Sequence, residues 1–464
     1  MSSVPTCSAA SASASISSSA AAPTSPTTAL KNVIVVGASY VGMMAAKELM
    51  AKLDGDEGKK DRYRVIVVEK QSHFSHLFAF PRFAIVPSYE HKAFIPLTLP
   101  SPHLLRASVS SITAHSSLLL NRPVQLDGDK VTELPFVALV LASGTKLTPP
   151  GTMPSEEKTE GVKYLQRVQQ ELKKAKEVVI LGGGAVGVRE LVLIPSVEHA
   201  QGELVVYCRT KMATDLAILY PEKFVTVVQS RTLMPRFHPQ LHELVMKRFT
   251  ELGIKTVLGS RAVIPQEGFN VEGREGQQIV KTKNGEEIKA DYVIESTGQT
   301  PNSAYLASFV PSALTSGKYI RVNSSLQVDA QGEKDKGVNK VIERMFAVGD
   351  IADSGSWSAP KAARPGMAQA TIVANNIEKL LAGESLSSYE IYQPNPAAIH
   401  LTLGFAESVI FRNPPSTNPD DVLGSFEGDP VIMMKDDGKK DMGIEGVWER
   451  RAPGLVKEEK DYWL

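Results

Sequence analysis

The sequence predicts an α/β protein with two parallel sheets, each opened by a strand, a glycine turn and a helix. Two observations carry that reading. The β-branched run Lys31-Asn32-Val33-Ile34-Val35-Val36 leads directly into Gly37-Ala38-Ser39-Tyr40-Val41-Gly42 and a helical stretch over 43–53. The same grammar returns about 145 positions later, where Glu177-Val178-Val179-Ile180-Leu181 runs into Gly182-Gly183-Gly184-Ala185-Val186-Gly187. One glycine motif is weak evidence. Two of them, each after a buried strand and before a helix, supply two separate phosphate cradles, the arrangement of two Rossmann-type dinucleotide-binding domains.

Size and composition agree with that architecture. A chain of 464 residues, 42% hydrophobic and 22% charged, has room for two or three domains with real cores. Lys plus Arg equals Asp plus Glu at 51 each, so no basic field exists to gather nucleic acid, and a small-molecule partner is favoured. The two cysteines, Cys7 and Cys208, exclude a disulfide framework and form no CxxC or CxxxxC redox pair. No metal-ligating set is read. The first 30 residues are mostly Ser, Ala, Thr and Pro and read as a disordered tail. They lack the Arg-rich pattern of a mitochondrial presequence, which makes the cytoplasm the default location and the mitochondrion the alternative. No apolar run approaches the roughly 20 residues that span a bilayer, so membrane contact is at most peripheral.

Within the first unit, Gly37 permits the tight turn, the small Ser39 lets the backbone approach a pyrophosphate, and Gly42 lets the helix pack on the strand. Ala38, Tyr40 and Val41 complete the cradle. A polar hairpin over 54–62 precedes a buried strand that ends on Glu69, placed to accept hydrogen bonds from ribose hydroxyls. A strand over 139–141 ends in a small-residue turn at Gly144, and a matching turn at Gly298 closes the second unit. Gly349-Asp350 ends a short strand just ahead of a helix over 366–381, where a carboxylate can bind the polyol of a flavin's ribityl chain. In the second unit Gly182, Gly184 and Gly187 form the cradle. The following strand ends on Gln229-Ser230-Arg231 with no carboxylate, and Arg231 is placed to face a 2′-phosphate, so NADH and NADPH both remain open.

This order of parts, from residue 31 to 464, resembles the FAD-dependent pyridine nucleotide oxidoreductase superfamily. Within it, the chain looks like the branch of apoptosis-inducing factor, ferroptosis suppressor protein and type II NADH dehydrogenases. The resemblance implies a glutathione-reductase-like pair of nucleotide domains and a C-terminal α+β interface-type domain. It implies an arginine beside FAD at Arg82, backbone contact to the adenine at Val109, and a lysine near the isoalloxazine at Lys361, after Ala359-Pro360. Relatives that reduce disulfides carry a cysteine pair beside the flavin, and here it is missing. The FxGxxxHxxxW stretch of Baeyer–Villiger monooxygenases is absent too.

A third departure lies after Gly187, where family-like sequence over 212–223 arrives only after about 22 extra residues, 189–210, that include Pro195, Gly202 and Cys208. A lineage-specific loop or a retained intron would produce it, and the flanks join into family-like sequence when it is removed, which favours the intron. The expected organisation is a tail over 1–30, an FAD-binding part over 31–150, an NAD(P)-binding domain over 151–295, a second FAD-binding part over 296–382 and a C-terminal domain over 383–464. The expected activity passes hydride from NAD(P)H to FAD, and then electrons to a quinone or other small acceptor. The rivals are a redox-sensing death-effector-type protein and a tailoring oxidase for a secondary metabolite. Hydride transfer needs no acid–base group, and no catalytic residue is named beyond Lys361 as a candidate near the flavin.

Overall fold

A computed structural model describes residues 30–99, 103–182, 203–270, 276–296, 298–355, 361–415 and 426–464. The run of β-branched residues at Lys31–Val36 is the centre of a five-stranded sheet ordered Met345–Ala347, Ala138–Leu141, Lys31–Val36, Tyr63–Glu69 and Leu104–Arg106. All four pairings are parallel, with Ile34 opposite Ile66 on one side and Leu139 on the other. A parallel sheet covered on both faces needs continuous apolar strands, and Val33, Ile34, Val35, Val65, Ile66 and Val67 are all fully buried. The helices Tyr40–Asp54 and Ala363–Leu381 pack on each other, and Ala45, Ala46, Ala370 and Ala374 on them are fully buried. The 54–62 stretch, expected as a hairpin, contains a short helix, Glu57–Lys60, because Asp56 accepts the Gly58 N–H and caps it.

A second sheet is ordered Lys255–Leu258, Phe224–Gln229, Glu177–Gly182 and Tyr292–Ser296, again parallel throughout. The chain passes between the two sheets twice, and the outgoing strand Thr145–Leu147 pairs antiparallel with the returning Gln299–Pro301. The segment 189–210 lies outside the described residues except for its end. There the helix Glu203–Leu219 runs unbroken through 203–210 into the family-like stretch. Beyond residue 383, strands Ala398–Thr402, Ser408–Arg412 and Val431–Lys435 form an antiparallel sheet, followed by the helix Ile444–Arg451. Among the described residues no helix is long and apolar enough to cross a membrane.

Two large apolar cores result. One surrounds the first sheet. The other joins the second sheet to the C-terminal strands and to residues 74–95, which follow the first sheet's second strand in sequence but bury Phe80, Phe83 and Phe94 on the far side of the joint.

Candidate functional site

A cleft runs along the carboxyl edge of the first sheet, where parallel α/β sheets bind ligands. Its walls come from the loops that follow four of the five strands: Ala38 to Val41, Glu69 to Gln71, Ala142 to Thr145, and Val348 to Asp350. Gly37 has φ +102°, and a Cβ there would stand 2.5 Å from the Ala142 carbonyl oxygen. A Cβ at Gly42 would stand 1.9 Å from that of Gly37. These two positions admit only glycine, which presses the first turn of helix Tyr40–Asp54 onto the neighbouring strand. Ser39 is the N-cap but its side chain makes no capping bond, and no acidic residue occupies the first turn. The unpaired N–H groups and the positive end of the helix dipole are therefore turned toward the cleft.

Glu69 is braced from both sides: one carboxylate oxygen accepts the Ala38 N–H at 2.6 Å and the other accepts the Gln71 N–H at 2.8 Å. Each oxygen keeps a further acceptor position for a diol. Asp350 sits where three segments converge. Added Cβ atoms at Gly349 and Gly366 would approach the Val41 side chain to 3.1 and 2.5 Å, and the Gly349 N–H is held by Gln369 Oε1 at 2.7 Å. Burial pushes the Asp350 carboxyl above its usual range, and the Lys361 ammonium partly offsets that. Lys361 is 4% exposed, donates to the Ala352 carbonyl and lies 4.9 Å from the centroid of the Tyr319 ring. Burial lowers its pKa, opposed by Asp353 and Asp350. It stands behind the cleft wall, which its neighbours Ala362 and Ala363 line.

Two expected contacts are placed elsewhere. Arg82 is fully buried away from the cleft, because the Pro81-containing helix Phe80–Phe83 inserts into the second core, where the guanidinium pairs with Asp215. Val109 opens an antiparallel strand, Val109–Thr113, that pairs with Ser117–Leu126, and it does not line the cleft. In the second unit Gly182 ends its strand buried, while Gly184 and Gly187 lie outside the described residues. Ser230 is half-buried and Arg231 exposed just past the strand Phe224–Gln229. Gly298 starts the returning ribbon at φ +68°.

Sequence reasoning passed over two features of the site. Asn302 Nδ2 donates to the Ser143 carbonyl at 2.9 Å, and Ser143 Oγ lies 2.9 Å from the Tyr305 hydroxyl, so the Gly144 turn is tied to the returning ribbon. The Pro301-Asn302 dipeptide belongs to the motif order by which the chain resembles its family; the bond it makes across to the Gly144 turn is what the sequence did not show. The Tyr40 hydroxyl lies 2.7 Å from His76 Nδ1, inside a cluster with Phe74 and Phe78. Burial, with Lys211 and Arg451 nearby, lowers the His76 pKa to about 3, so the ring is neutral at physiological pH. No sequence pattern announces that pair.

The glycine cradle, which single Cβ atoms would fill, and the two carboxylates at its rim fit an extended dinucleotide such as FAD. Fold and cleft together define a dinucleotide-dependent flavoprotein oxidoreductase. The chain belongs to the pyridine nucleotide-disulphide oxidoreductase family, which it matches over residues 31–370, and it is of the apoptosis-inducing-factor-like kind. It is 31% identical to Fe-regulated protein 8 of Mycosarcoma maydis, over 91% of this chain and 95% of that protein. It is 26% identical to apoptosis-inducing factor homolog B of Dictyostelium discoideum, over 85% and 92%. The solved sulfide:quinone oxidoreductase of Aquifex aeolicus shares the fold with a TM-score of 0.63 at 16% identity, covering 90% of each chain.

Proposed function

We propose that the chain is an NAD(P)H oxidoreductase that holds FAD in the cleft of the first sheet, receives NADH or NADPH at the second, and passes electrons to a quinone or other small acceptor. The observation that carries this reading is the cleft itself, with Glu69 and Asp350 on the loops of two strands of one sheet and the glycine turn between the strands they follow. In this reading residues 31–150 and 296–382 form the FAD-binding domain, 151–295 the NAD(P)-binding domain, and 383–464 a C-terminal interface-type domain.

Bound FAD supplies two-electron redox chemistry between the nicotinamide and the final acceptor. The protein's own work is placement. The turn from Gly37 to Gly42, with the helix N-terminus behind it, receives the pyrophosphate. Glu69 accepts the adenosine ribose hydroxyls while its two backbone donors keep the carboxylate from rotating. Asp350 faces the ribityl hydroxyls, and Lys361 partly offsets the burial that raises its pKa. At the second sheet Gly182 begins the phosphate turn, and Ser230 and Arg231 stand where the adenosine end of the nicotinamide nucleotide is read. With only Cys7 and Cys208 in the chain, no vicinal cysteine pair is present to relay electrons to a disulfide.

The reading is tested by releasing and identifying the chromophore of the purified protein, then assaying NADH and NADPH against quinones, oxygen and glutathione disulfide. FAD release with quinone turnover is the expected result. A colourless protein that cannot be reconstituted with FAD, or efficient disulfide reduction, overturns it. Sequencing of the mature transcript decides whether residues 189–210 are a loop or a retained intron. If they are an intron, the shorter form reduces its flavin faster.

A further inference from the structure

The helix Glu203–Leu219 packs on three strands of the second sheet, on the short helix Phe80–Phe83 and on the C-terminal strand Ala398–Thr402. It thus touches the second sheet, the 74–95 segment and the C-terminal strands. Lys211 and Asp215 stand one turn apart on it and so share a face, and both are fully buried. The Lys211 ammonium donates to the Phe78 carbonyl at 3.2 Å and contacts the Met442 sulfur. One oxygen of Asp215 accepts Arg82 Nε. The remaining guanidinium nitrogens donate to the carbonyls of Gly404 at 2.8 Å and Lys439 at 3.3 Å, and the plane lies over the Phe405 ring. Asp215 Oδ1 has no hydrogen-bond partner among the described residues. The Gly404 loop is pressed onto the same helix, since a Cβ there would stand 2.4 Å from Ile218 Cδ1.

A buried pair whose carboxylate is only half satisfied is a poor device for stability, because apolar side chains of similar volume serve as well or better. What a guanidinium fork adds is direction: it fixes the angle and spacing of everything it bonds. Arg82 bonds the helix under the second sheet and two C-terminal loops at once. Phe78, four residues before it in the turn that leads into that helix, lines the cleft and is held through its carbonyl by Lys211. The network thus runs without a gap from the cleft wall to the helix that supports the second nucleotide site.

We propose that Arg82, Asp215 and Lys211 are positioning residues that set how the nicotinamide nucleotide on the second sheet approaches the flavin in the first sheet's cleft. The inference rests on the two-nucleotide reading above. Asp215→Asn keeps the volume and removes the charge. Arg82→Met combined with Asp215→Leu replaces the pair by apolar side chains and keeps the test alive if the single variant folds poorly.

Both variants are expected to match the parent in FAD content and in the rate of flavin reduction by dithionite; the double variant should also melt within a few degrees of the parent, whereas Asp215→Asn, which leaves the guanidinium buried without its counter-charge, should melt lower. The limiting rate of flavin reduction by NAD(P)H should fall roughly tenfold or more, as a small misplacement of reacting groups does, while the nicotinamide Kd changes far less. The long-wavelength absorbance of nicotinamide stacked on flavin should weaken in step. Amide hydrogen exchange over 78–86 should rise, a readout independent of turnover. If the double variant reduces its flavin at the parent rate with unchanged stacking absorbance, the pair is structural only and the inference is overturned. If the parent protein itself holds no FAD, or is reduced by neither nucleotide, the two-nucleotide reading fails first and removes the ground for this one.

Discussion

The two parallel sheets repeat one topology, yet the ends of their second strands differ in charge. At Glu69 a carboxylate is clamped by two backbone N–H groups and faces the cleft. At the matching place in the second sheet the strand ends on Gln229, with Ser230 half-buried and Arg231 exposed beyond it. In the proposed function the first would hold a diol in a fixed position, while the second would meet its ligand nearer the surface. The glycines differ by the turn they occupy and not by the sheet: Gly37 is hemmed in by backbone, whereas a Cβ at Gly298, or at Gly144, its match in the first unit, would meet nothing within 4 Å.

The largest expected effect follows from that last difference. Gly37→Ala combines a left-handed backbone with a clash against a carbonyl, so strain of about 1–3 kcal/mol from the backbone alone is only the lower part of its cost. Thermal melting and FAD content should both drop sharply, whereas Gly298→Ala should cost about 1–2 kcal/mol and leave FAD in place. Equal behaviour of the two variants would erase the distinction between a rigid and an open turn.

Removing the carboxylates comes next. Asp350→Ala and Glu69→Gln each remove hydrogen bonds to a charged acceptor worth about 1.5–3 kcal/mol, which lowers FAD affinity by roughly tenfold or more in equilibrium dialysis. Ser230→Ala, its counterpart in position at the second sheet, should leave FAD content unchanged and raise only the KM for the nicotinamide nucleotide.

The third expectation concerns pH. Because the folded His76 pKa is lowered from 6.5 to about 3, the unfolded chain takes up a proton that the folded one refuses. The stability contribution is complete above pH 6.5 and is lost as pH falls toward 3. Melting temperatures recorded across that window should decline in the parent and decline less in His76→Leu, once the baseline loss of the Tyr40 hydrogen bond is subtracted. The smallest effect belongs to Arg231→Ala. An exposed cation contributes about 0.2–1 kcal/mol and is screened by salt, so the KM for NADPH should rise modestly at low ionic strength while that for NADH stays level.

Much of the first site was legible because its signals are local. A β-branched run, a glycine turn and a carboxylate at the next strand end lie within 39 residues, from Lys31 to Glu69, and each residue type is dictated by the backbone geometry beside it. Gly349-Asp350 was readable for the same reason. Arg82 was not: its neighbours resemble a cofactor-facing segment, but the side chain follows Phe80 and Phe83 into the second core, and only the presence of Asp215, 133 positions away, explains where it goes. The Tyr40 and His76 pair, 36 positions apart, likewise has no periodicity to announce it.

By itself, then, the sequence determined which strands are buried, that each of two parallel sheets is opened by such a strand, and that the turn after the first must be glycine, because strand period and φ are properties of short stretches of chain. The tertiary structure alone decided which core residues 74–95 join, how Glu69 is braced, and that Arg82 bonds three segments at once. Those depend on long-range contacts, whose burial and charge pairing are fixed only when the second sheet and the C-terminal strands close on the first.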